Sequence, residues 1–161
     1  MGQNRGFGLL EIVIAVSIIS ATIFSLSFVF LISNKLAAES SNKMRANFLA
    51  EEALDALKLL RDTSWNANLA GLNTGTNYYL SFSPTASSWN ISASSGAFID
   101  GLFERRITVE NVNRNASDDI VSSGGSNDPD TRKFNAMISW SERSGTTTIT
   151  VSTYLTDMFD N

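Results

Sequence analysis

The stretch GFGLLEIVIAVSIISATIFSLSFVFLIS, residues 6–33, decides the fold of this chain. Between residues 7 and 33, 19 of 27 positions are Phe, Leu, Ile, Val or Ala, and Glu11 is the only charged residue. The 21 residues from Ile12 to Ile32 carry no charge. As a helix they would rise about 31 Å, close to the hydrocarbon thickness of a bilayer. We therefore predict a membrane-spanning helix over residues 7–33.

A secretory signal peptide is the first alternative for this segment. Its apolar region is typically about 7 to 15 residues long and follows a basic start. The run found here is longer, and only Arg5 and the amino terminus precede it as positive charges. These features favour the spanning helix.

Residues 34–64 continue the helical signals in a more polar composition. Apolar residues recur at helical spacing, while charged residues form a second stripe. The apolar stripe consists of Leu49, Ala53, Leu57 and Leu60, and the charged stripe of Glu51, Asp55, Lys58 and Asp62. No Gly or Pro occurs between Leu9 and Ala70, so we expect one continuous helix from about Gly8 to Ser64, amphipathic in its second part.

Residues 65–161 favour β-structure, because Ser, Thr, Asn and Gly become frequent and the apolar period shifts to two. The alternating segments are FERRITVEN (103–111), KFNAMISWS (133–141) and TTTITVSTYL (146–155), with shorter candidates at 77–82 and 89–93. The loop ERSG (142–145) has the right length for a hairpin. We expect one antiparallel sheet of four or five strands whose apolar face packs on the amphipathic helix.

Composition excludes several functional classes. The chain has no Cys and no His, so thiol nucleophiles, disulfides and imidazole metal sites are ruled out. With 12 basic and 16 acidic residues the net charge is −4, and no dense basic patch suggests nucleic-acid binding. No recognisable catalytic spacing remains. We expect no enzyme, no cofactor, no metal and no nucleic-acid partner.

One segment leaves an alternative open. Residues 113–132 contain Asp118, Asp119, Asp128 and Asp130. Carboxylate oxygens are ligands that Ca²⁺ prefers, but the spacing matches no EF-hand loop. The spacing favours a solvated loop, with calcium binding as the alternative.

Three features coincide at the start of the chain: Gly6 precedes Phe7, a Leu-Leu pair follows, and Glu11 is the fifth residue counted from Phe7. Together with the uncharged run, GFGLLEIVIAV resembles the class III signal of type IV prepilins and of the pseudopilins of type II secretion. The resemblance implies that a prepilin peptidase removes a leader, residues 1–6, by cutting after Gly6 and methylates the new amino terminus on Phe7.

The same resemblance implies how the mature chain assembles. In this family, the carboxylate that corresponds to Glu11 pairs with the N-terminal ammonium of a neighbouring subunit, here that of Phe7, as helices stack into a filament. The implied partners are other pilin or pseudopilin subunits and the assembly platform. The implied location is the bacterial inner membrane, single-pass, followed by an extracytoplasmic filament.

The family also implies a pilin-like α+β fold: a long N-terminal helix packed on an antiparallel β head, here residues 65–161. AEEALDALKLLRD and the C-terminal strands look like those of minor pilins and pseudopilins of the PilV or GspI kind. We therefore expect a minor pilin-like structural subunit. A pseudopilin of a type II secretion system is one alternative, and a membrane-anchored binding module that never polymerises is another.

Overall fold

The computed structural model describes residues 8–96, 98–143 and 145–159. The predicted fold class is confirmed: the chain is α+β, with one long apolar N-terminal helix and C-terminal antiparallel sheets. Contacts divide it into two units, which meet between Lys43 and Met44. Helix α1, Leu9–Thr63, belongs to both units, and all other helices and strands of the described residues belong to the second.

The single predicted helix is confirmed, since α1 runs without a break from Leu9 to Thr63. It ends because the backbone of Ser64 is extended, with φ −171° and ψ 113°. The Ser64 hydroxyl then accepts a hydrogen bond from the Ala67 backbone amide at 3.2 Å and so caps a short helix, α2, Trp65–Asn68. The Asn68 side-chain amide donates to the Leu60 carbonyl at 2.9 Å, which satisfies an acceptor at the end of α1.

Six strands follow in the described residues: β1 (Tyr79–Ser83), β2 (Ser88–Ser92), β3 (Glu104–Arg114), β4 (Ile120–Val121), β5 (Ser126–Glu142) and β6 (Gly145–Thr156). They form two sheets, not the single sheet expected from the sequence. β1 pairs with β2 in a two-stranded sheet, and the other four lie in the order β4-β3-β5-β6. All pairings are antiparallel. One bridge between Tyr78 and Ile107 connects the hairpin of β1 and β2 to β3.

Both predicted hairpins are confirmed. β1 and β2 pair from Tyr79 opposite Ser92 to Ser83 opposite Ser88. β5 and β6 pair up to Glu142 opposite Gly145, so the turn is shorter than the four-residue loop expected. Gly145 has φ +130°, a backbone conformation that side-chain-bearing residues rarely adopt.

The core of the second unit lies between α1 and the inner face of the four-stranded sheet. The predicted sheet residues Phe134, Ala136, Ile138 and Trp140 are buried. On α1 the predicted residues Ala53, Leu57 and Leu60 are buried and Leu49 is half-buried, and the buried stripe contains further alanines. Its buried members are Ala46, Ala50, Ala53, Ala56, Leu57 and Leu60. Four of the six are alanines, whose small side chains let the helix backbone approach the large side chains of the sheet.

We predict that Ala50→Leu destabilises this unit. Ala50 has no exposed surface and packs with Phe103, Ile138 and Trp140, so extra methylene groups would overpack the interface at a cost of about 1–3 kcal/mol. Urea unfolding of the full chain in detergent micelles, followed by tryptophan fluorescence, measures the change. Glu51→Leu is the matched control, because Glu51 is exposed on the same helical turn. Equal stabilities of the two variants would contradict the close packing.

Candidate functional site

The candidate site lies near the amino terminus of the chain, for which the sequence interpretation names Gly6, Phe7 and Glu11. Gly6 and Phe7 lie outside the described residues. Glu11 lies in the first turn of α1 and is exposed. Its carboxylate Oε2 accepts a hydrogen bond from the Gly8 backbone amide at 3.1 Å. The Gly8 carbonyl in turn accepts from the backbone amides of Glu11 and Ile12 at 3.0 and 3.3 Å.

This position gives the Glu11 carboxylate a favourable electrostatic setting. The first amides of a helix have no intrahelical acceptors, and the helix dipole places partial positive charge there. Glu11 lies three residues after Gly8, the residue that precedes α1, and accepts a hydrogen bond from the Gly8 amide. This bond is one of the two that make up a capping box. One carboxylate oxygen is occupied in this way. The second remains available to a cation that approaches the helix end.

The surface of α1 that follows Glu11 is apolar and uncovered. Sixteen large apolar side chains between Leu9 and Ile32 are 43% to 82% exposed. None of its most apolar stretch is buried within the described residues. By length and composition α1 can cross a membrane. A continuous apolar surface of this size marks a membrane or a protein interaction.

Three of the six hydroxyl groups between residues 9 and 33 donate hydrogen bonds within the helix. Ser17 donates to the Val13 carbonyl at 2.7 Å, Thr22 to the Ile19 carbonyl at 2.7 Å, and Ser25 to the Ala21 carbonyl at 2.9 Å. Each donor is therefore satisfied by the helix itself, which lowers the cost of placing a polar group in hydrocarbon.

In the second unit the structure shows an ion pair that the sequence interpretation missed. Arg105 on β3 is buried, and its Nη1 donates to the Glu52 carboxylate of α1 at 2.8 Å. Its guanidinium carbon lies 5.2 Å from the centroid of the Trp89 ring on β2. Arg105 thus contacts the helix and both sheets. The period-two alternation of the sequence could have predicted that Arg105 points inward, because it shares a face with Phe103 and Ile107.

A second inward arginine holds the segment after α2. Arg132 on β5 donates from Nη1 to the Leu72 carbonyl at 2.6 Å and from Nη2 to the Ala70 carbonyl at 2.8 Å. These two carbonyls belong to a turn that would otherwise leave its acceptors without a protein partner. The two arginines on the inner sheet face therefore fix the connections around the core, and neither points to a ligand.

The segment 113–132 is largely exposed, as expected, but the expectation of a single loop is wrong. β3 extends to Arg114, β4 lies within the segment, and β5 begins at Ser126. The pairing of β3 with β5 shifts where Asn111 lies opposite Arg132 and Val112 opposite Asp128, so the chain bulges at 129–131. Pro129 falls in this bulge, where its missing amide donor costs no ladder hydrogen bond.

Three of the four carboxylates named in this segment contact protein groups, and that of Asp118 lies 3.7 Å from Arg114 Nε. Asp128 Oδ2 accepts from Arg114 Nε at 2.7 Å, and Asp128 Oδ1 accepts from the Asp130 amide at 3.0 Å. The Asp119 carboxylate accepts from the Asn115 side chain at 3.3 Å. Among the described residues, no group of three or more acidic side chains is arranged to hold a metal ion. The geometry of the described segment therefore offers no support for the calcium alternative.

Two carboxylates of the sheet have shifted pKa values. The hydrogen bond from Arg114 lowers the pKa of Asp128, with smaller contributions from Thr131 and the Asp130 amide. The pKa of Glu110 is lowered mainly by the hydrogen bond from Asn135 at 2.6 Å and then by Lys133 at 3.1 Å. Both carboxylates belong to the ladder of β3 and β5, so their charged forms stabilise the folded sheet.

The chain matches no family model, no curated protein and no solved structure. Its functional assignment therefore depends on the motif at its amino terminus and on the geometry described above.

We predict that acid weakens the sheet through Asp128 and Glu110. Their pKa values are lower in the folded than in the unfolded chain, so the stabilisation is present above the unfolded values, about 4, and is lost as the pH falls through the folded ones. Asp128→Asn should be less stable than the wild type at pH 7, by about 1 kcal/mol, and the difference should shrink towards pH 3.

Urea unfolding at several pH values measures this dependence. The matched control is Asp55→Asn, since Asp55 is an exposed helical residue that pairs only with Lys58 in the described contacts. If the free energies of unfolding of Asp128→Asn and wild type differ by the same amount at pH 7 and pH 3, the pairing with Arg114 does not lower the pKa of Asp128.

Proposed function

We propose that this chain is a minor pilin-like structural subunit of a type IV pilus or a related filament. In this proposal it is cleaved after Gly6 by a prepilin peptidase, methylated on Phe7, held in the inner membrane by α1, and assembled through that helix. The observation that carries the proposal is the single carboxylate of Glu11 in the first turn of α1, followed by an exposed apolar segment that ends at Ile32.

The apolar surface supports the assembly step by its size. Burial of one large apolar side chain contributes about 1.5–3 kcal/mol, so the sixteen exposed ones between Leu9 and Ile32 represent tens of kcal/mol. Such a surface must be shielded from water both before and after assembly. Lipid shields it before assembly, and the apolar helices of neighbouring subunits can shield it afterwards.

Glu11 supports the proposal because its charge is unfavourable in lipid but could form an ion pair between neighbouring helices in a filament. A charged side chain within a membrane segment costs several kcal/mol unless it reaches the headgroups or a partner. Cleavage after Gly6 would create an ammonium group on Phe7, four residues before Glu11. The carboxylate of one subunit and the ammonium of the next would then compensate each other's desolvation.

The β head supports a structural role outside the membrane. In the described residues its core lies between α1 and the sheet, and its outer sheet face carries mostly polar side chains. A pseudopilin of a type II secretion system has the same chemistry at its amino terminus and remains the alternative within this family.

One observation favours a second candidate, a membrane-anchored module that does not polymerise. The Gly8 amide already donates to Glu11 within the same chain. A carboxylate that only caps its own helix needs no neighbouring subunit. The two candidates therefore differ in what Glu11 contributes between chains.

We predict that Glu11→Ala and Glu11→Gln still enter the membrane but are lost from filaments. Removing one partner of a desolvated ion pair costs about 3–5 kcal/mol, so incorporation should fall at least tenfold. The measurement is the amount of subunit in sheared filaments relative to that in the membrane fraction. Glu51→Ala is the matched control, because Glu51 is an exposed carboxylate on the same helix.

If Glu11→Ala enters filaments as well as wild type, the pairing proposal fails. If wild-type chain itself stays in the membrane fraction while filaments form from other subunits, the anchored module is correct instead.

A further inference from the structure

A cavity lies between the C-terminal end of α1 and strand β2, within the second unit. Its volume is about 350 Å³, inside the range of about 300–1,000 Å³ that is usual for small-molecule sites. Leu59, Leu60 and Thr63 of α1 and Asn68 of α2 line one wall, and the four consecutive residues 87–90 line the other. Because side chains alternate between the faces of a strand, a wall of consecutive residues is the edge of β2.

The wall formed by β2 carries hydrogen-bonding groups that the described part of the chain leaves free. The side chains of Ser87, Ser88 and Asn90 make no hydrogen bond to other described residues. The edge of β2 that faces away from β1 makes no backbone hydrogen bond to them either, so it adds free amides and carbonyls. A small molecule in the cavity therefore meets several donors and acceptors on this side.

The cavity also has an apolar surface, formed by Leu59 and Trp89. Leu59 is 51% exposed, and Trp89 is half-buried. The Trp89 ring is held from two directions, since the Arg105 guanidinium carbon lies 5.2 Å from its centroid and the Phe82 ring centroid lies 5.4 Å from it. The apolar surface is therefore formed before a ligand binds, which lowers the entropy cost of binding.

The lining restricts the chemistry of a ligand. No charged side chain is found among the described residues that line the cavity, so an ionic ligand would lose its hydration without gaining an ion pair. A fully apolar ligand would instead bury the free polar groups of β2 without partners. A ligand that satisfies both conditions is uncharged, rich in hydroxyl groups and apolar on one face. A neutral pyranose ring has these three properties.

The backbone of Ser87 adds an observation of a different kind. Its φ is +48°, in the left-handed region that favours glycine. Residues with side chains pay a free-energy cost in this region, and such strain is concentrated at binding sites. A glycine would avoid the cost but would remove the Ser87 hydroxyl from the cavity wall. This position therefore separates the needs of folding from those of binding.

We propose that this cavity binds one ring of a neutral saccharide. The apolar face of the ring would lie against Leu59 and Trp89, and its hydroxyl groups would bond to the edge of β2 and to the side chains of Ser87, Ser88 and Asn90. The proposal goes beyond the filament assignment and does not require it, since all of these residues belong to the second unit.

The first test uses the full chain in micelles of dodecylphosphocholine, a detergent without a sugar headgroup. Saturation-transfer NMR gives dissociation constants for glucose, galactose, mannose and N-acetylglucosamine. At least one of them should bind with a millimolar constant, as expected for a ligand of about a dozen non-hydrogen atoms.

Two control ligands remove one property each. Sorbitol has the hydroxyl groups without the ring, and the uronate with the same ring stereochemistry as the tightest pyranose adds a negative charge. Both should bind at least fivefold more weakly than that pyranose. No binding by any of the four sugars, or binding of either control as tight as that of the best sugar, would overturn the proposal.

The second test uses Ser87→Gly and the tightest of the four sugars. The variant should bind about fivefold more weakly, because one hydrogen bond is lost. Its stability in urea should equal or exceed that of wild type, because glycine adopts a positive φ without strain. Asp118→Gly is the matched control, since Asp118 also has a positive φ, +66°, and does not line the cavity. Its affinity for the sugar should be that of wild type.

Asn90→Ala tests the same wall through a second side chain, and it should also weaken binding about fivefold. Its control is Asn127→Ala, because Asn127 is an exposed asparagine of β5 outside the cavity. Unchanged affinity in Ser87→Gly or in Asn90→Ala, or an equal loss in either control, would place the sugar elsewhere and overturn the proposal.

Discussion

The fold of the second unit depends on the contact between the alanine-rich stripe of α1 and the inner face of the four-stranded sheet. Ala46, Ala50 and Ala53 have no exposed surface. They lie against large sheet residues such as Phe103, Phe134 and Trp140. Because the helix side chains are small, the large ones on the sheet can fill the space between the layers. The chain has no disulfide that could replace this contact.

The described residues of the first unit, 8–43, make no such contact. From Leu9 to Ile32 the helix is apolar around its circumference, and its large side chains are exposed. A helix that is apolar on all sides belongs in a membrane or among other apolar helices. Composition thus divides α1 by environment: the amphipathic part is covered by its own chain, and the apolar part requires a cover from outside. The functional proposal follows from this requirement and from the position of Glu11.

Much of the fold could be predicted from local patterns. Period-two alternation identified the inner face of β5, and the absence of Gly and Pro after Leu9 predicted an unbroken helix. The division into two sheets could not be predicted, because it depends on which strands pair with each other, and this pairing is decided by contacts between residues far apart in the sequence. The bulge between Asn111 and Val112 and the strand β4 could not be predicted from local patterns either. They occur beside a hydrogen bond between Arg114 and Asp128, residues 14 positions apart in the chain. The inward position of Arg105 was available from the alternation but requires Glu52 to make its burial favourable.

The candidate site is local in sequence, so the motif alone could locate it. Gly6, Phe7 and Glu11 lie within the first dozen residues. The structure adds that Glu11 lies in the first turn of α1, before its exposed apolar part, and accepts a hydrogen bond from the Gly8 amide. What the motif cannot give is the partner of the carboxylate, because that partner would come from another chain.

The most direct test of this account is mass spectrometry of the amino terminus of the mature protein isolated from membranes. The account predicts that the chain begins at Phe7 and carries one methyl group on its amine. Cleavage would convert a backbone amide at residue 7 into the ammonium that Glu11 needs on a neighbouring subunit. A chain that retains Met1 and residues 2–6 would contradict processing, and with it the assembly proposed for Glu11.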